Sequence, residues 1–139
     1  MTIAVVDGLG GGIGAQIIER IRKEEFAGVH LLALGANAVA TQRMVDAGAE
    51  RGASGENAFR VSVGIADFVL GPIGIVFANA MMGEITASMA ESILTAPGKK
   101  LLLPLGQPHV TIVGIEQKNV NELISEAVIA LKRMLTDAP

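Results

Sequence analysis

Ile3-Ala4-Val5-Val6-Asp7-Gly8-Leu9-Gly10-Gly11-Gly12-Ile13-Gly14 is the stretch that decides the fold. Ile3 to Val6 is a short apolar run, largely β-branched and closed by Asp7 and Gly8, which reads as a buried strand. Past the glycines the apolar period becomes helical. Ile13, Ile17, Ile18 and Ile21 share one face, Arg20, Lys23 and Glu24 lie elsewhere, and Phe26-Ala27-Gly28 ends the helix. Strand, glycine turn and helix open an α/β chain.

Working outward, Val29 to Leu34 is a second strand, and Asn37 stands as N-cap of a helix over Ala38 to Ala47 that Gly48 stops. The small, polar stretch Ala49 to Gly55 reads as a loop, followed by a short helix over Glu56 to Val63. Asp67 to Leu70 is a third strand ending at Gly71-Pro72. Ile73 to Met82 is compatible with helix or irregular core. Ile85, Met89 and Ile93 mark a helix from Glu84 to Leu94, stopped by Ala96-Pro97-Gly98. Asn79, Glu84, Thr86 and Ser88 near its start suit capping or a ligand, and capping is preferred. Leu101 to Leu105 and Val110 to Ile115 are the fourth and fifth strands. Only Gly106-Gln107-Pro108-His109 lies between them, too short for a parallel crossover, so the fifth is expected to be an antiparallel edge. Asn119 with Glu122 opens the last helix, with Val120, Leu123, Ile124, Ala127, Val128, Leu131 and Leu135 on one apolar face.

The expected architecture is a three-layer Rossmann-like α/β fold, a single domain over 1–139, with a mostly parallel sheet of about five strands. At 139 residues the chain has room for one ordinary core. It has no cysteine, which excludes disulfides, thiolate metal sites and a cysteine nucleophile. Net charge −3 with no Tyr or Trp argues against nucleic acid, which requires a basic stripe or stacking platforms. Half of the residues are hydrophobic and the mean hydropathy is +0.50, more apolar than a small monomer needs, so a homo-oligomer is expected. The longest uncharged stretch, Phe68 to Gly83, is broken by glycine and proline and is too short to span a bilayer. No basic segment or cleavage site precedes Ile3, and a cytoplasmic location is expected.

In an α/β sheet, ligands sit beyond the carboxyl ends of the strands where strand order reverses. The glycine loop is expected at that point. Glycines remove every Cβ that would keep a phosphate from the amides, and a helix N-terminus adds unpaired N–H groups. Gly8, Gly10, Gly11, Gly12, Ile13 and Gly14 are therefore candidate binding residues for a phosphorylated small molecule, with a nucleotide or dinucleotide as the candidate cofactor. The opposing reading is a tight strand-to-helix turn in a scaffold with an empty loop. Gly71 is a further candidate, where a small residue lets a ring approach the backbone. Asn37 stands where a ribose-binding acid is usual, as a ribose ligand or simply as a cap. Asp7 is either a strand-end carboxylate tied to loop amides or a catalytic or metal-binding group. If the fourth strand lay beside the first, His109 would share a crevice with Asp7 as a proton-transfer pair; an exposed turn histidine is the alternative. No two-His metal spacing exists, and no lysine follows the glycines as a P-loop requires.

The spacing of Gly8, Gly12 and Gly14 resembles the cofactor loop of short-chain dehydrogenases over the first βα unit only. That chemistry needs a catalytic tyrosine, and the chain has none. Over most of its length, through DGLGGGIG at 7–14, ADFVLGPIGIVFANAMMGEIT at 66–86 and KKLLLPL at 99–105, the chain resembles a family of short bacterial Rossmann-like proteins, a domain of unknown function. The resemblance implies the fold but no reaction and no catalytic residue.

Overall fold

A computed structural model describes residues 1–105 and 109–137. Its strands are β1 (Thr2–Asp7), β2 (His30–Gly35), β3 (Arg51–Ser54), β4 (Phe68–Pro72) and β5 (Lys99–Leu103). The helices are α1 (Gly12–Lys23), α2 (Ala38–Asp46), α3 (Glu56–Ser62), α4 (Ala87–Thr95) and α5 (Val120–Asp137). The strands form one sheet in the order β3-β2-β1-β4-β5, and every pairing is parallel.

This corrects the expected antiparallel edge. Val110 to Ile115 has strand-forming residues but, beyond an isolated bridge at Val110, no strand. Val110, Ile112, Val113 and Ile115 are all exposed, so this run has no core to bury a face against. The fifth strand is instead β3, in the stretch read as a loop. Its residues are polar and small because it is an edge paired only with β2, and because α2 lies close over it. A Cβ at Gly52 would stand 2.7 Å from Thr41 Cγ2 and 2.8 Å from Val45 Cγ2.

Both faces of the sheet are covered, which is why its central strands read as continuous apolar runs. Ile3 and Val5 of β1, with Leu31 and Leu70, pack against Ile17, Ile18 and Ile21 of α1, Met44 of α2 and Leu123, Val128 and Leu131 of α5. Ala4 and Val6, with Leu34 and Val69, pack on the other side against Phe59 of α3 and Met89 and Ile93 of α4. From β1 the chain steps outward to β2 and β3, then returns across the sheet to β4 on the far side of β1. The order reverses between β1 and β4, and their carboxyl ends, Asp7 and Gly71-Pro72, flank the resulting crevice.

Candidate functional site

Asp7 ends β1 with its side chain buried, and its two oxygens accept hydrogen bonds from the loop that follows. Oδ1 takes the Gly8 amide and Oδ2 the Gly14 amide, each at 2.8 Å. The carboxylate therefore binds amides at both ends of the turn, including one from the first turn of α1. Burial pushes its pKa above the usual carboxylate value; the amides of Gly14, Gly8 and Ile13 and the Arg43 guanidinium oppose that shift without cancelling it.

Three glycines of the loop are closely packed, Gly11 against backbone and Gly8 and Gly14 chiefly against the ends of flexible side chains. Gly11 has φ +72°, and a Cβ there would lie 2.7 Å from the Ala40 carbonyl oxygen, so the loop sits directly on the first turn of α2. A Cβ at Gly14 would meet Met44 Sδ, and one at Gly8 would meet Met81 Sδ at 2.6 Å and Glu84 Oε1 at 2.9 Å. Gly71 is of the same kind, because a Cβ there would collide with the Val6 carbonyl oxygen of β1. Gly10 and Gly12 differ. A Cβ at either would meet only Arg43, at 3.8 and 3.4 Å from Nη1, and their amides have no acceptor among the described residues. Ile13 is half-buried, its side chain packed into the core on the α1 face.

Asn37 caps α2, its Oδ1 accepting the Ala40 amide at 2.8 Å. Its Nδ2 also donates to the Leu9 carbonyl at 2.8 Å and to Glu84 Oε2 at 2.7 Å. Glu84 Oε1 in turn accepts the Leu9 amide at 2.5 Å. Asp7, the glycine loop, Asn37 and Glu84 thus form one connected network at the crevice. Thr86, as preferred, caps α4 by accepting the Met89 amide.

His109 is an exposed turn residue. The strand before it adjoins β4, not β1, so the premise that placed it beside Asp7 does not hold. The linker residues Gly106, Gln107 and Pro108 before it lie outside the described residues. Arg43, which no sequence motif marks, reaches the loop from α2; its Nη1 is 3.4 Å from the Gly10 carbonyl oxygen. No spacing in the sequence singles it out.

One family pattern, described as a domain of unknown function (DUF3842), matches residues 2–136. The chain belongs to this DUF3842 family. Among curated proteins no relative matches it in sequence. Two similar solved structures are a dodecameric FMN-dependent UbiX-like decarboxylase from Escherichia coli O157:H7 and a nucleoside-diphosphate-sugar epimerase from Pseudomonas aeruginosa. The first is 18% identical with a TM-score of 0.49, over 96% of this chain and 76% of the other. The second is 16% identical with a TM-score of 0.39, over 96% of this chain and 46% of the other. Membership in DUF3842 assigns no reaction. Among the described residues no helix is long and apolar enough to cross a membrane.

Proposed function

We propose that this protein binds the phosphate of a small phosphorylated molecule, with nucleotides the first class to test, on the open side of the glycine loop at Gly10 and Gly12. The observation that carries this reading is Arg43: a cation lies over the two loop positions that packing leaves bare, beside amides at the start of α1. Proton transfer by Asp7 and His109 is not part of the proposal, since Asp7 is engaged with amides and His109 follows a strand two places from β1.

The test is thermal unfolding followed by circular dichroism, with and without saturating ATP, NAD, NADP, FAD, coenzyme A and S-adenosylmethionine. A ligand at about a hundred times its dissociation constant adds roughly 2.7 kcal/mol, a shift of several degrees. Gly12→Asp should melt like the native protein, because an acid suits the first helical turn, yet lose the shift because it pairs with Arg43. No shift with any compound, or an equal shift in Gly12→Asp, overturns the reading.

A second reading, an oligomeric scaffold with an empty loop, is favoured by a separate observation. Two of the loop's amides are already taken by Asp7 and one by Glu84, while Val113 is 92% exposed within the apolar run 110–115. It expects a stable oligomer by sedimentation equilibrium and no ligand-induced shift.

A further inference from the structure

The segment between Phe77 and Thr86 lies across the glycine loop and touches it twice. Met81 Sδ fills the space beside Gly8, and the Glu84 carboxylate holds the Leu9 amide and Asn37 Nδ2. A carboxylate bridging a loop amide and a side-chain amide occupies the kind of position a phosphate oxygen takes at such a loop. The segment that delivers it is under backbone strain. Asn79, Met81 and Met82 have φ of +66°, +57° and +57°, and Gly83 has +86°, so four of the five residues 79–83 are left-handed and three of those carry side chains. Met82, at the crest, is 97% exposed, so no burial of its side chain offsets that strain. The segment is pinned at its far end, where Ile85 is fully buried and Thr86 caps α4 and donates to Glu56. Between these anchors it is held by a few backbone bonds, Asn79 to Ile85, Ile85 to Ala80 and Glu84 to Met81.

We propose that Glu84 is a built-in anionic occupant of the glycine loop, and that residues 78–84 form a strap that a bound phosphate displaces. This rests on the anion site proposed above. A phosphate on the Gly10 and Gly12 amides stands next to the Leu9 amide, where two anions repel. Displacing Glu84 relieves that repulsion and lets the left-handed run relax. Arg43 stays with the loop, so it serves the incoming anion and not the strap.

The experiment is a pyrophosphate titration of the native protein and Glu84→Gln, followed through the backbone amide resonances of Leu9, Gly10 and Gly12. The expected result is binding roughly tenfold tighter in Glu84→Gln, because the competing charge is gone. In the native protein, saturating pyrophosphate should also speed hydrogen exchange at the Glu84 and Ile85 amides, which bond within the strap. Equal affinity in the two proteins with unchanged strap exchange overturns the strap and leaves the anion site standing. Pyrophosphate that moves none of the three amides in either protein overturns both. Exchange is measured on the native chain, so it decides the matter even if Glu84→Gln folds poorly.

Discussion

Asp7 illustrates how one side chain can serve a loop and still weigh on the fold. Its two amide bonds order the turn, but burial raises its pKa above the unfolded value of 3.8. A carboxyl with a raised folded pKa favours the folded state most fully below the unfolded value, and that contribution is lost as pH rises through the folded pKa. Asp7→Asn keeps the shape but aims an amide NH2 at one of the two donors, at a cost of roughly 1–3 kcal/mol. Urea unfolding from acid to neutral pH should show the native protein's advantage over Asp7→Asn shrinking as pH rises. A constant difference would rule out the raised pKa. Asp7 as a loop tie was legible in the sequence from its place between strand and glycines. Arg43 was not, and Glu84 was marked only as a cap or ligand near the next helix, because they reach the loop from α2 and from the segment before α4, and only the crossovers bring them together.

At the scale of elements, signals that act within a few residues were readable and those that depend on a neighbour were not. The caps of α2 and α5 follow from Asn37 and from Asn119 with Glu122, and both form as read. Strand β3 was hidden because its residues answer to α2 above it. The run 110–115 misled because β-branched residues signal a strand even when no partner edge is available. Asn37 also shows an element doing more than its local role, since the α2 cap is tied through Nδ2 to the loop and to Glu84. Asn37→Asp preserves the cap but removes both ties and sets carboxylate against carboxylate. It should lower stability at neutral pH by roughly 1–3 kcal/mol. Equal stability at neutral pH would mean that the cap alone holds α2 in place.

Across the whole molecule, stability should be graded from the centre of the sheet outward. β1 is paired on both sides and Ile3 to Val6 are fully buried, whereas β3 is an exposed edge paired only with β2. Native-state hydrogen exchange should therefore show β1 and β4 amides opening only with global unfolding, their rates rising steeply with urea. β3 amides should exchange through local openings that low urea barely affects. Indistinguishable behaviour of β1 and β3 would mean that the sheet opens as one unit. The α/β class, the glycine turn and most of the helices were legible because periodicity reports burial; that the sheet is parallel to both of its edges was not, because edge strands lack that signal.

The placement of β1 has one more consequence. It precedes both of its neighbours in the chain, and its second neighbour, β4, does not begin until Phe68. Until that residue is available, this apolar central strand has one unpaired side, and a nascent or truncated chain ending earlier carries an open, adhesive edge at its centre. The return from β3 to β4 that shapes the crevice is thus also the step that closes this window for aggregation during synthesis.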